Sequence, residues 1–313
     1  MQNVFKLAAA AALCASAAAA HAQLAFDANL ELDTTSTNEA NASASNAARD
    51  SDLTMGGRVE VNAGSKLNNG DAFVAARASL LLKKDGSAGT DDMWVQFGNK
   101  TGDVKLGRFE AMDLFPLGKD TVADEINGTY KANALRGRMG SDTFHGALGL
   151  NAAPGLRVEL GLVFTKDAGA NRGFRPAVSY TSGPLTLRAG VEAVKTLANP
   201  AGTPPTTVDN SADGFGLSVG YALAADSNIN VNFAKKEDDK TFGVNATFGA
   251  LGLGLISGKG ATDATKATTF YAAYSMSLFG VKGASVTPAL SVSKGGSGQD
   301  TRTAARVRIN YAF

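Results

Sequence analysis

The chain has 313 residues, with 30 lysines and arginines against 29 aspartates and glutamates, so its formal net charge is +1. That balance shows no global basic or acidic bias toward nucleic acid. One cysteine and two histidines leave too few ligands for a disulfide scaffold or a metal centre built from those side chains.

Lys6 precedes an Ala-rich apolar run from Leu7 to Ala20, and Ala20-His21-Ala22 follows as an A-x-A cleavage site. The run is shorter than a membrane span needs, so residues 1–22 are expected to be a secretory signal peptide and 23–313 a single domain. Cleavage after Ala22 would remove Lys6 and Cys14, leaving 29 charges of each sign and no thiol. No run of 18 apolar residues occurs after the signal, which excludes helical spans but not membrane strands.

From position 23 onward the apolar residues alternate. Leu24, Phe26, Ala28, Leu30 and Leu32 interleave with Asp27, Asn29, Glu31 and Asp33, and Ile229, Val231 and Phe233 with three asparagines. Helical spacing at i, i+3, i+4 and i+7 is absent from these segments. About sixteen strands are expected: 23–34, 52–64, 71–84, 91–99, 103–109, 142–151, 156–166, 173–182, 185–196, 213–224, 228–237, 240–249, 251–259, 267–279, 284–294 and 300–313. Short Gly, Pro, Asn and Asp turns take turns with longer polar loops. The longest segment outside the strands is 110–141, within which 132–139 reads either as loop or as a further strand.

The last strand fixes the architecture. Val307, Ile309, Tyr311 and Phe313 point one way, and Arg306, Arg308 and Asn310 the other. Apolar side chains outward and charged ones inward is the pattern of a transmembrane β-strand, so the fold is all-β: a transmembrane antiparallel β-barrel. An even strand number puts both termini on one side. A soluble sandwich would also alternate, but it has no reason to end in outward aromatics. A solenoid would show a fixed repeat, and none is present. Tyr180, Tyr221, Phe248, Phe270, Tyr274 and Phe279 are expected in the aromatic girdles.

The run Trp94-Val95-Gln96-Phe97-Gly98-Asn99-Lys100-Thr101-Gly102-Asp103-Val104-Lys105-Leu106-Gly107-Arg108 resembles the sixteen-stranded Gram-negative porins, in which a strand, a Gly-rich turn and a strand ending Leu-Gly-Arg precede the third external loop. The terminal Phe313 is similar to the assembly signal of bacterial outer-membrane proteins. Together with the signal peptide and strand pattern, the resemblance spans the whole mature chain. The loop Glu110-Ala111-Met112-Asp113-Leu114-Phe115-Pro116-Leu117-Gly118-Lys119-Asp120 departs from the Pro-Glu-Phe-Gly-Gly type motif that many general porins carry there. The resemblance implies an outer-membrane homotrimer of water-filled barrels, in contact with lipid and lipopolysaccharide. In each barrel the third loop folds inward to narrow a path for small hydrophilic solutes and ions. A sugar-selective porin of the same fold is the alternative.

Charge placement fits an inward loop. Its first half holds Glu110, Asp113, Asp120, Asp124 and Glu125, and its second half Lys131, Arg136 and Arg138. On the strand register Arg58, Arg77, Arg302, Arg306 and Arg308 face the lumen from neighbouring strands, and Arg108 sits where the chain leaves the wall. Acids on the loop opposite arginines on the wall would set a transverse field across a constriction. Trp94 faces either the lumen or a subunit contact. After signal removal His145 is the one histidine left, and no serine is marked as its partner. The expectation is therefore a channel and no enzyme, with no cofactor and no metal.

Overall fold

The computed structural model describes residues 24–40, 49–124, 129–138, 143–165, 171–196, 210–260, 266–295 and 301–313. The signal-peptide expectation and Glu125 lie outside these. The described strands are β1 (Leu24–Ala40), β2 (Arg49–Asn69), β3 (Ala72–Lys83), β4 (Ala88–Gly98), β5 (Gly102–Arg108), β6 (Thr143–Ala153), β7 (Leu156–Thr165), β8 (Asn171–Phe174), β9 (Ala177–Ser182), β10 (Leu185–Thr196), β11 (Asn210–Ala224), β12 (Ser227–Lys236), β13 (Asp239–Phe248), β14 (Leu251–Lys259), β15 (Ala267–Tyr274), β16 (Met276–Ser277), β17 (Ala284–Lys294) and β18 (Thr301–Ala312).

They form one antiparallel sheet that closes on itself where β1 pairs with β18, from Asn29↔Ala312 to Asn38↔Thr303. Ala28 and Phe313 exchange both backbone hydrogen bonds at the seam. β8 and β9 are one stave interrupted at Arg175-Pro176, because Pro176 has no N–H to donate; both halves lie between β7 and β10. β15 and β16 are likewise one stave, both on β17. The barrel therefore has sixteen staves. Closure leaves no unpaired edge, which is the condition for strands to cross lipid.

Outward positions are apolar and exposed, as with Leu217, Val219, Tyr221 and Leu223 on β11, while the alternate Gly216 and Ser218 are buried. This is the inverse of a soluble core, and a bilayer is the solvent that stabilises it. The main apolar cluster lies inside the barrel. Leu114, Phe115, Tyr130 and Ala132, between β5 and β6, pack on Ala177, Ala234, Ile256, Ala267 and Tyr271 of the inner wall.

Two expectations change, and one left open resolves. Residues 129–138 contain no strand; Tyr130 O and the Ala134 and Leu135 N–H groups are taken by wall side chains. β1 runs past its expected end at 34 to Ala40, and β2 spans Arg49–Asn69 where 52–64 was expected, the added ends being mostly polar residues that pair without apolar alternation. The strand expected to reach 279 stops at Ser277. Phe279, 93% exposed, sits in the β16–β17 turn, closed by Val281 N–H to Leu278 O and Ala284 N–H to Val281 O.

Candidate functional site

The segment after β5 enters the lumen and lies along one side of it. Asp113 accepts from the Phe115 N–H (2.8 Å), turning the chain so that Leu114 and Phe115 face the wall. What they meet is a trough of small residues. A Cβ added at Gly216 would collide with Ala132 and Leu114, one at Gly214 with Tyr130, and one at Gly252 would lie 2.5 Å from the Lys119 Cβ. Only glycine lets the two backbones approach this closely. Wall side chains then satisfy the segment's backbone. Pro116 O accepts from Asn232 and Asn245 (both 2.7 Å), Leu117 O from the Tyr271 hydroxyl (2.6 Å), and the Val122 N–H donates to Ser291 (2.7 Å).

The return limb is fastened by a buried polar network. Glu192 on β10, 1% exposed, accepts from the Tyr130 hydroxyl (3.0 Å) and from the N–H groups of Ala134 and Leu135 (3.0 and 3.1 Å). Its Arg136 partner (3.6 Å) also donates to Pro176 O and Val191 O. Burial, and then the Glu192 charge, raise the Tyr130 phenol well above its usual range, so it stays a donor. Arg175, fully buried at the stave break, donates to Leu135 O (2.5 Å) and to His145 Nδ1 (2.8 Å). A guanidinium can only donate, so that nitrogen is the acceptor. The imidazole is then neutral, with its Nε2 proton directed at Arg138 O (3.2 Å).

The facing wall, made by β18 and β1–β5, is charged. Arg308 grips Asp33 with two nitrogens (2.7 and 2.9 Å), Arg58 pairs with Glu31 (2.9 Å), and Arg77 with Glu60 (3.4 Å) and Asp92 (3.6 Å). Asp120, on the inserted segment, pairs with Arg306 (2.8 Å) and Arg308 (3.5 Å) of β18, the stave beside β17. A cavity of ≈ 530 Å³ lies beside the segment, lined by Thr121, Asp124, Lys131 and Arg302 among others.

The structure thus groups Arg306, Arg308 and Asp120, with Arg58 one strand pair away. The other expected residues have partners of their own. Arg108 donates to Asp91 O (2.9 Å) and Arg138 O (2.8 Å) at the root of the segment. Glu110 pairs with Arg138 (2.6 Å), Asp113 caps a turn, and Asp124 pairs with Lys131 (2.6 Å). Arg302 pairs with Glu39 (3.2 Å). Trp94 pairs in register with Arg77 and shares its lumen side, where the Lys105 ammonium lies 4.1 Å from its ring centroid. Sequence reasoning passed over Glu192, Arg175, Asn232, Asn245 and Tyr271. Their one visible mark was a polar or bulky residue at an inward position beside glycines.

A closed barrel, apolar outside, charged inside and crossed by a fastened segment, defines a membrane-spanning channel protein. The model of the Gram-negative porin family matches residues 9–313, so the chain belongs to that family and is an outer-membrane porin. A loop-deleted OmpT from Vibrio cholerae is similar in structure, with a TM-score of 0.63 at 16% identity, 93% of this chain and 99% of that one being covered. A mutant porin of Rhodopseudomonas blastica gives a TM-score of 0.62 at 12% identity, with 93% and 100% covered. No curated protein matches the chain by sequence.

Proposed function

We propose that this porin passes small hydrophilic solutes and ions by passive diffusion, with segment 110–141 setting the size limit. Arg58, Arg77, Arg108, Arg306 and Arg308, with Glu110, Asp113, Asp120, Asp124 and Glu125, are proposed to set its charge preference. One observation carries this reading: the inserted segment is fastened to the inner wall from β10 to β17 and ends beside the arginines of β18, where Asp120 pairs with Arg306 and Arg308, which supports a lumen narrowed by the segment and lined by charge. The apolar outer face supports burial in lipid, and a homotrimer is proposed on the family resemblance. Residues 1–22 are proposed to direct export. The sugar-selective alternative needs a run of free aromatic faces, and the lumen indole, Trp94, is covered by Lys105.

Reconstitution of the chain into planar bilayers tests the reading. Stepwise conductance is expected, and its absence would sink the proposal. Neutralising Arg58, Arg77 and Arg306 together is expected to shift the reversal potential in a salt gradient toward cations. An unshifted potential would remove them from the passage.

A further inference from the structure

The arginines of the lumen wall and two of its lysines are held in different ways. Arg58, Arg77, Arg157, Arg306 and Arg308 each have a carboxylate within 4.0 Å. Such a pair is a dipole, and its field fades within a few ångströms of solution. Lys66 and Lys105 are held by rings instead. The Lys66 ammonium lies 4.7 Å from the Phe73 centroid, and that of Lys105 lies 4.1 Å from Trp94 and 4.5 Å from Phe109. An aromatic ring carries a quadrupole and no net charge, so it orients an ammonium without cancelling it.

Register places both lysines on one row of the wall. Lys66 pairs with Ala75, Ala75 with Gln96, and Gln96 with Lys105, all facing the lumen. The two heads leave this row in opposite directions along the wall, Lys66 toward Phe73, two residues nearer the β2–β3 turn, and Lys105 toward Trp94, two residues the other way. Between them lie the small Ala75 and the Gln96 amide. Of the carboxylates nearest Lys105, Asp103 is engaged by Arg157 and Asp92 by Arg77 and Arg138; Glu159 on β7 also contributes to its field.

We infer that Lys66 and Lys105 form a two-step anion site on the β2–β5 wall, taking small carboxylates or phosphates in transit. The inference rests on the channel reading and names the solute class that the wall favours. Arg306 and Arg308 then hold Asp120 of the segment, Arg58 and Arg77 hold carboxylates of the wall, and the ring-held lysines add positive charge that no carboxylate partner among the described residues offsets.

The test measures the ratio of chloride to potassium permeability of the full chain in planar bilayers at low ionic strength. Lys66→Gln/Lys105→Gln is expected to lower that ratio by about two- to threefold, and by less in strong salt where charges are screened. Lys66→Arg/Lys105→Arg is expected to restore it, because arginine also stacks on rings. Open channels with an unchanged ratio would overturn the site. A wild type without conductance steps would instead overturn the channel reading. Should the glutamine variant fail to insert, phosphate titration of the wild type decides: saturable reduction of chloride current supports the site, and none overturns it.

Discussion

The two sides of the lumen are built by different rules. Along β10–β15 the inward positions are mostly glycine, alanine, asparagine, serine and threonine, with Tyr271 and Glu192 among them, and they hold the inserted segment by close backbone approach and by hydrogen bonds to its peptide groups. Along β18 and β1–β5 the inward positions are rich in arginine, lysine, aspartate and glutamate, and they meet the segment by ion pairs, through Asp120 to Arg306 and Arg308 and through Arg138 to Asp91 and Asp92. Contacts of the first kind fix position, since each peptide group has a set direction and salt does not screen packing. Those of the second kind tune potential, because long side chains re-pair and screen. Position and charge preference should therefore be separable by mutation.

Glu192→Ala is the strongest way to break the first side. It strips the acceptor from Tyr130, Ala134 and Leu135 and leaves Arg136 buried without its charge partner, a loss that typically costs about 3–5 kcal/mol. The denaturation midpoint in detergent is expected to fall, and single-channel current to become larger and noisier as the return limb leaves the wall. A quiet channel of unaltered size would show that Glu192 does not hold the segment. Gly216→Val comes next. Its side chain would enter the space of Ala132 and Leu114, an overpacking worth about 1–3 kcal/mol. Here too the current should rise while the reversal potential stays put.

Such separability was only half legible in the sequence. Alternation is local, so residues such as Leu217, Val219 and Tyr221 declared their outward face at once, and Arg306 and Arg308 their inward one. Partners are not local: Asp120 lies far from Arg306 along the chain, and Glu192 far from Leu135. Each pairing depends on where a segment without periodicity comes to rest. The seating signal was also inverted, because Gly214, Gly216, Gly243 and Gly252 look like weak points in strands when they are the floor on which Leu114, Phe115, Lys119 and Tyr130 sit. Trp94 was settled by register alone, through its pairing with Arg77.

Asp120→Asn sharpens the second side. It removes one lumen anion and loosens Arg306 and Arg308, while Asp33 and Glu31 still hold Arg308. All three side chains are a quarter exposed or less, and the stability cost of such a pair is about 1 kcal/mol. The reversal potential is expected to move toward anions with little change in channel size. A large rise in conductance instead would mean that the charged wall also sets position, and the division drawn between the two sides would fail.

The smallest effect is expected at Arg58. Its side chain is 44% exposed, and the Glu31 it would release still lies 3.9 Å from Arg308. Arg58→Gln should therefore leave the denaturation midpoint within experimental scatter, since the freed carboxylate keeps a cation and the glutamine keeps water. One positive charge is nevertheless lost from the passage, so the reversal potential should move toward cations, opposite in sign to Asp120→Asn. The comparison of signs is the sharper measurement. Two variants on one wall, each nearly silent in stability and displaced in opposite directions in selectivity, are what a wall devoted to potential must give. A shift of like sign in both would mean that the variants act by moving the segment rather than by changing the charge it faces.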